Sequence, residues 1–189
     1  MRCREIIGLM GFTFLATTLL VSCRQHKSAT SQYVMSPEEQ RVMTLLEKSQ
    51  KTGHLNDAEF EEVVRLTRHS NVLVSAKAYV ALWYVKDPKQ KTRAAELFRK
   101  AINHPDAFVR TAVCRGIGYV GTAKDVPLLL PRLRDPDPDV RKVSLRSLQM
   151  LGGPAQKAHV QAMLQDPDPE VRQLAQKILQ EWEAKSKSR

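Results

Sequence analysis

The sequence has few glycines, few aromatic residues and a relative shortage of acidic residues. Eight glycines and 6% aromatic residues in 189 positions do not suit a β-sandwich, and no stretch alternates polar and apolar residues as strands do. The 20 acidic residues are outnumbered by 30 basic ones, which gives a formal net charge of +10. With 26% charged residues, the composition indicates a soluble, helix-rich chain, and its length favours one domain.

The chain begins with a short basic segment, an uncharged apolar run and a few small residues. Arg2 and Arg4 precede the run from Ile6 to Val21, which is short for a membrane span because a span needs about 20 residues. This layout is typical of a secretory signal. The alternatives are an uncleaved anchor, or an ordinary signal peptide followed by a coincidental cysteine, and both still export the chain.

The residues Leu20, Val21, Ser22 and Cys23 resemble, at all four positions, the lipobox of bacterial lipoproteins. The resemblance implies cleavage after Ser22, diacylglycerol on Cys23 and acylation of the new amino terminus. Several acyl chains anchor a protein firmly, since each buried methylene adds about 0.8 kcal/mol. Arg24 stands where aspartate favours inner-membrane retention in Gram-negative lipoproteins, so the resemblance favours the outer membrane over the inner one.

The polar, unpatterned text after Cys23 is typical of a tether. The predicted segments are a signal peptide at 1–22, a flexible tether at 23–35, a folded domain at 36–183 and a basic tail at 184–189. Loss of Cys3 with the signal and lipidation of Cys23 leave Cys114 as the one free thiol. No intramolecular disulfide is then possible, so stability must come from packing. Apart from the covalent lipid, no cofactor is expected.

A short motif recurs at a spacing of 31 residues. The chain reads HPDAFVR at 104–110, DPDPDVR at 135–141 and DPDPEVR at 166–172, and a looser copy begins near Val74. Apolar residues follow each copy at a helical period. The unit is therefore a helix, a turn and a second helix. The helices preceding the motifs are expected at about 57–68, 90–102, 123–133 and 155–164.

One capping residue starts each second helix. These residues are Asn71, Asp106, Asp137 and Asp168. Such a cap satisfies an unpaired amide and contributes about 1 kcal/mol. The alternating aspartates at 135–139 do not match an EF-hand, because a loop counted from Asp135 has Val140 and Arg146 where glycine and a bidentate glutamate are required. A nonstandard ion site is the remaining alternative, and we expect no metal.

The D-P-x-V-R motif, followed by spaced small and apolar residues and a glycine, is clearest from Asp137 to Gly152. It resembles the short HEAT-like repeats of bacterial phycobilisome-lyase proteins, over about residues 55–183. The resemblance implies an all-α fold, a short right-handed α-solenoid of about four helix pairs whose second helices line a concave face. Residues 36–51 are expected to form an N-terminal capping helix, because a solenoid must close its front end.

HEAT families also contain a ladder of aspartates and arginines between neighbouring units. The resemblance implies that the capping aspartates pair with arginines of the same register, either within or between units. The candidate arginines are Arg110, Arg141 and Arg172. We expect these pairs to be structural.

The solvated face of the second helices is the predicted binding surface. Its basic stripe and flanking residues are Arg115, Arg146, Lys177, Lys142 and Gln149, with the aromatic residues Tyr79, Trp83 and Tyr84 at the other end. Such a groove suits an acidic peptide segment, an anionic polymer or a lipid head group. The alternative is a solvated helix face that is charged only for solubility. Nucleic acid is not an expected partner of an exported lipoprotein.

No catalytic arrangement is apparent, because the five histidines are scattered and none forms an HxxxH or HExxH pattern. We therefore expect a membrane-anchored scaffold that binds another envelope protein, and not an enzyme. The alternative is an accessory protein of the lyase or chaperone type that holds a small anionic ligand in the groove. A further hypothesis is a homodimer through an uncapped last helix, whose apolar residues are Leu174, Ile178, Leu179 and Trp182.

Overall fold

The helices of the structure begin at the capping signals that the sequence contains. In the computed structural model, which describes residues 34–187, Ser36 and Glu39 form a reciprocal capping box at the first helix. Asn56 and Glu59 form the same arrangement at the second. Each box satisfies two backbone amides that no helical partner can reach.

Within the described range the regular structure is entirely helical. The α-helices are α1 Pro37–Thr52, α2 Asp57–Leu66, α3 Val72–Ala81, α4 Pro88–Ala101, α5 Ala107–Val120, α6 Val126–Leu129, α7 Pro138–Leu151, α8 Lys157–Ala162 and α9 Pro169–Lys187. Single 3₁₀ turns are Leu82–Tyr84, Ala123–Asp125, Pro131–Arg134, Pro154–Gln156 and Met163–Gln165. The last helix continues past residue 183 to Lys187. No helix among residues 34–187 is both long and apolar enough to cross a membrane.

The second helices pack in series and form one layer. Helix α3 packs on α5, α5 on α7, and α7 on α9, while α1 covers the front of α3. The first helix of each unit packs on its own second helix. The prediction of an all-α solenoid is therefore confirmed. Its largest fully buried side chains come from all units: Leu45, Leu82, Phe98, Ile117, Leu129, Leu145, Leu148 and Ile178.

The first helices of the last two units differ from the prediction. Single helices were expected at about 123–133 and 155–164, but the segments 123–134 and 154–165 each consist of a short α-helix between two 3₁₀ turns. In the first segment Pro131 has no amide to donate, and its ring crowds the carbonyl of Pro127. Both segments end at an aspartate followed by proline, a position that disfavours helix, and their last turns tighten to 3₁₀ geometry.

The apolar face of the last helix is turned inward. Ile178 is fully buried, Leu179 and Trp182 are nearly so, and Leu174 is partly buried against the core. The prediction that these side chains leave an exposed apolar end is wrong, because α9 packs on α7 and on the 157–165 segment. The residues on its solvent side are polar: Gln173, Gln176, Lys177 and Gln180. The homodimer hypothesis thereby loses the surface on which it rested.

The arginine ladder connects neighbouring units, but through different aspartates from those expected. Arg110 donates to both carboxylate oxygens of Asp135, at 2.9 and 2.7 Å, and Arg141 does the same to Asp166, at 2.8 Å for each bond. The capping aspartates instead accept backbone amides at the helix starts. Each capping carboxylate already accepts backbone amides at the start of its own helix. It is therefore not the acceptor for the arginine of a neighbouring unit.

Arg172 occupies the same place in the last of the described units, where its hydrogen-bond partners are backbone carbonyls. Its guanidinium donates to the backbone carbonyls of Asp166 and Pro167, at 2.7 and 2.9 Å. Arg141 makes the equivalent bonds to the carbonyls of Asp135 and Pro136. Each ladder arginine therefore binds carbonyls of the turn that precedes its own helix. Arg110 and Arg141 also bind the first aspartate of the motif in the next unit.

Candidate partner-binding groove

Two arginines of the predicted stripe lie side by side on neighbouring helices. Arg115 and Arg146 are 31 residues apart, so the repeat places them at the same point of α5 and α7. The two helices approach closely because Gly118 lies against Ser147, where a Cβ on the glycine would stand 2.7 Å from the serine Oγ. That hydroxyl donates to the carbonyl of Cys114 at 2.8 Å and fixes the contact.

Two open cavities adjoin at this arginine pair, which we define as Arg115 and Arg146. The first, of about 370 Å³, includes Phe108, Thr111 and Val143 in its wall. The second, of about 400 Å³, is lined at the other end by Tyr119, Ser147, Gln149 and Met150. Both arginines line both cavities. We call this continuous depression between α5 and α7 the groove.

Aromatic rings lie beside Arg115. Its guanidinium lies 5.6 Å from the ring centroid of Trp83, within the range of a cation–π contact. The indole nitrogen of Trp83 donates to the carbonyl of Ala112 at 2.9 Å, which holds the ring in place. Tyr119 lies 5.7 Å from Trp83 and Tyr84 lies 6.3 Å from it, measured between ring centroids. Arg115 is therefore oriented by a cluster of tilted aromatic rings and not by an acid.

Lys142 lines the groove, but its charge is already compensated. Its Nζ lies 2.8 Å from a carboxylate oxygen of Asp139 and 2.7 Å from one of Glu170. The hydrogen bonds to Asp139 and Glu170 raise the pKa of Lys142 well above its ordinary value. The sequence placed Lys142 on the predicted binding surface, and the structure shows that its ammonium group is paired there with Asp139 and Glu170.

The remaining residues of the predicted surface lie in different environments. Gln149 lines the groove, where its amide donates to Glu181, whereas Trp83 lies beside the groove, against Arg115 and Tyr119. Lys177 is exposed on α9 and lines neither cavity. Tyr79 is buried, with its ring 5.8 Å from that of Phe98, and belongs to the core. Cys23 lies outside the described residues.

Sequence reasoning missed three apolar residues on this face. Phe108, Tyr119 and Met150 are exposed to 55%, 49% and 55% of their surface. Tyr119 and Met150 share one place of the repeat, and Phe108 stands one place before the first valine of its unit. The repeat alignment contained this information, because Tyr119 and Met150 each lie four positions after an arginine of the stripe, and Phe108 lies seven positions before Arg115, about two helical turns away.

The acidic motifs and Cys114 have structural roles. Asp135 is surrounded by Arg110 and Arg132, an environment that repels a cation, and no cluster of three metal-binding side chains occurs among residues 34–187. The Cys114 side chain is fully buried. Burial raises the pKa of its thiol to about 11, so the thiol stays protonated at neutral pH and is a poor nucleophile.

Comparison with known proteins agrees with this geometry. The family profile of HEAT repeats matches residues 61–149 and 95–180. The crystal structure of an engineered protein from the Northeast Structural Genomics Consortium is similar, with a TM-score of 0.59 and 18% identity over 82% of this chain and 76% of that chain. At that identity the likeness concerns the fold alone. No curated protein sequence matches the chain significantly.

Proposed function

Because this chain belongs to the HEAT-repeat family, we propose that it is a scaffold that binds another protein in the groove between α5 and α7. A lipid on Cys23 would hold it at a bacterial membrane. The observation that carries the binding proposal is the arginine pair, which has no acidic partner among the described residues and is flanked by exposed apolar side chains. Arginine and aromatic residues together at one site are typical of protein-binding surfaces.

The alternative of a solvated face is less consistent with these contacts. A face that needs charge only for solubility has no reason to expose Phe108, Tyr119 and Met150 beside it, since exposed apolar area favours association. The other exposed arginines on the four-unit domain include several that are held by acids, such as Arg41 and Arg93. The groove combines free cations with apolar area, a combination that a partner with the opposite charge and its own apolar residues complements.

Photo-crosslinking in intact cells tests the scaffold. A photoreactive amino acid at Met150 stands beside the arginine pair and leaves both arginines in place. We expect it to capture one protein partner, identified by mass spectrometry. A matched probe at the exposed Arg134, on a first-helix segment, should not capture it. Charge reversal by Arg115→Glu and Arg146→Glu should abolish the adduct.

Equal adducts from Met150 and Arg134, or an adduct that survives the double charge reversal, would contradict binding in the groove. Recovery of a pigment or another small molecule in place of a protein would instead support the accessory, lyase-type alternative. Circular dichroism of the doubly substituted protein would show whether its helical fold is retained, since both side chains are at least partly exposed.

The lipid anchor is tested separately. We expect labelled palmitate to enter the protein, and Cys23→Ala to prevent its incorporation, because the cysteine thiol is the site of diacylglycerol attachment implied by the lipobox. The matched control is Cys114→Ala, which should retain the label. Membrane fractions that hold the Cys23→Ala protein as tightly as the parent would disprove lipid anchoring through this residue.

A further inference from the structure

Two guanidinium groups without acidic partners face one opening. Among residues 34–187, neither Arg115 nor Arg146 takes part in an ion pair, whereas Arg110 and Arg141 each bind an aspartate of the following unit. Neighbouring helices pack 8–10 Å apart as a rule, a distance that two arginine side chains can span together. A guanidinium binds a carboxylate through two parallel hydrogen bonds. The arginine pair can therefore hold one carboxylate from both sides.

Apolar side chains lie at both ends of the groove. Phe108 is at the first cavity, while Tyr119 and Met150 line the second. All three are about half exposed, so an occupant that covers them removes apolar area from water on both sides of the charge. Such removal favours association.

The acidic residues of the first cavity restrict the occupant further. Asp137, Asp139 and Glu170 line it together with the arginine pair and Lys142, so acids and bases are balanced in this wall. A polyanion, with a charge at every residue, would lie against these carboxylates. An occupant with a single central carboxylate avoids them, since the arginine pair lies at the boundary of the two cavities.

The length of the groove follows from the helix that forms its wall. Phe108 and Tyr119 are eleven residues apart on α5, and a rise of 1.5 Å per residue separates them by about 16 Å. An extended peptide advances about 3.3 Å per residue. Five such steps, and hence six residues, span the distance between the two apolar ends.

We infer that the groove binds an extended segment of about six residues from a partner protein. The segment has apolar side chains at both ends and one carboxylate near its middle, which Arg115 and Arg146 hold together. The inference rests on the proposed function, because it specifies the kind of segment that the scaffold's partner presents. The two arginines would bind the carboxylate of the segment, and Phe108, Tyr119 and Met150 would contact the apolar side chains at its ends.

Fluorescence anisotropy tests the inference with the full-length lipoprotein in micelles of a neutral detergent. The probe is a fluorescein-labelled hexapeptide with leucine at both ends, glutamate at the fourth position and serine elsewhere. A second probe carries glutamine in place of glutamate. We expect the glutamate peptide to bind at least about tenfold more tightly, because charge-assisted hydrogen bonds are about twice as strong as neutral ones.

Variants assign the contacts. Arg115→Glu or Arg146→Glu should weaken binding of the glutamate peptide by at least about tenfold, and Arg146→Lys by less, since lysine keeps the charge and loses the paired hydrogen bonds. Arg134→Glu is the matched control and should leave binding unchanged. A glutamate peptide with serine in place of both leucines should bind severalfold more weakly. Inorganic phosphate at millimolar concentration should not displace the glutamate peptide.

Equal binding of the glutamate and glutamine peptides, or full binding by Arg146→Glu, would overturn the inference. Full competition by phosphate would do so as well, since it would reduce the groove to a simple anion site. The cellular crosslink separates this result from failure of the proposed function. If a partner is captured at Met150 but the peptide results are negative, only the inferred kind of segment is refuted, and the proposed scaffold function stands. Loss of the crosslinked partner removes the scaffold proposal itself.

Discussion

The two aspartates of each D-P-D-P motif are alike in sequence and different in role. Asp137 accepts the amides of Asp139 and Val140 at 2.8 and 3.2 Å and starts α7. Asp135, two residues earlier, accepts the Asp137 amide and both bonds from Arg110. Its side chain is 1% exposed, so it is a buried charge that depends on its partners.

The sequence carried a sign of this pairing. In the first unit Ser75 stands where the later units have arginine, and in the next unit His104 stands where Asp135 and Asp166 stand later. The first unit therefore lacks the ladder arginine, and the next unit lacks the aspartate that would accept its hydrogen bonds. Ser75 donates to the carbonyl of Thr67 at 2.7 Å, and the ring nitrogen of His104 accepts the amide of Asp106 at 3.1 Å, so both retain hydrogen bonds without an ion pair.

At the residue scale we predict that Cys114 is unreactive in the folded protein. Burial raises the pKa of its thiol to about 11, so the reactive thiolate is scarce at pH 8, and reagents cannot reach the sulfur. Modification by N-ethylmaleimide, measured by peptide mass mapping, should be at least about a hundredfold slower than in guanidinium-unfolded protein. Similar rates in both states would show that the α5–α7 contact opens readily.

At the scale of helices, the ladder arginines join one unit to the next. Arg110 and Arg141 are only 11% and 10% exposed, and each binds carbonyls of its own turn as well as the next aspartate. A helix pair cannot bury its apolar face alone, so contacts between units decide stability in repeat proteins. The ladder therefore acts where the solenoid is most dependent on its neighbours.

Arg141→Ala should destabilise the protein by about 3–5 kcal/mol, because it leaves Asp166 buried without its ion-pair partner. The matched variant is Arg172→Ala, which removes equivalent bonds to backbone carbonyls but strands no carboxylate. It should cost about 1 kcal/mol. Urea unfolding followed by circular dichroism measures both. Equal losses would mean that the carbonyl bonds, and not the pairing between units, carry the effect.

At the scale of the whole molecule, the ladder makes stability dependent on pH. Burial raises the pKa of Asp135 and Asp166, but hydrogen bonds from Arg110 and Arg141 and from backbone amides outweigh it and hold each pKa below its ordinary value. A carboxylate with a lowered pKa in the folded state stabilises the fold above its unfolded pKa. That contribution is lost as the pH falls through the folded value.

We expect the free energy of unfolding to fall as the pH drops below about 4, near the unfolded pKa of aspartate. Urea titrations between pH 7 and pH 2.5 measure the dependence. Asp135→Asn should lower the free energy of unfolding at pH 7. It should also make that free energy fall less steeply at acid pH, because it removes one of the titrating pairs. Asp57→Asn, at an exposed position on α2, serves as the control and should leave the fall at acid pH unchanged.

The sequence by itself determined the helical fold, the repeat and the starts of its helices. These are local properties, since a cap, a proline and an apolar period act within a few neighbouring residues. Only the tertiary structure decided which aspartate meets Arg110, that Glu170 of the next unit joins the local Asp139 in neutralising Lys142, and that Trp182 is buried. Each of these depends on how one unit is rotated against the next. That rotation is set by packing between residues 25 or more positions apart in the chain, where close contacts such as Gly118 on Ser147 select the partners.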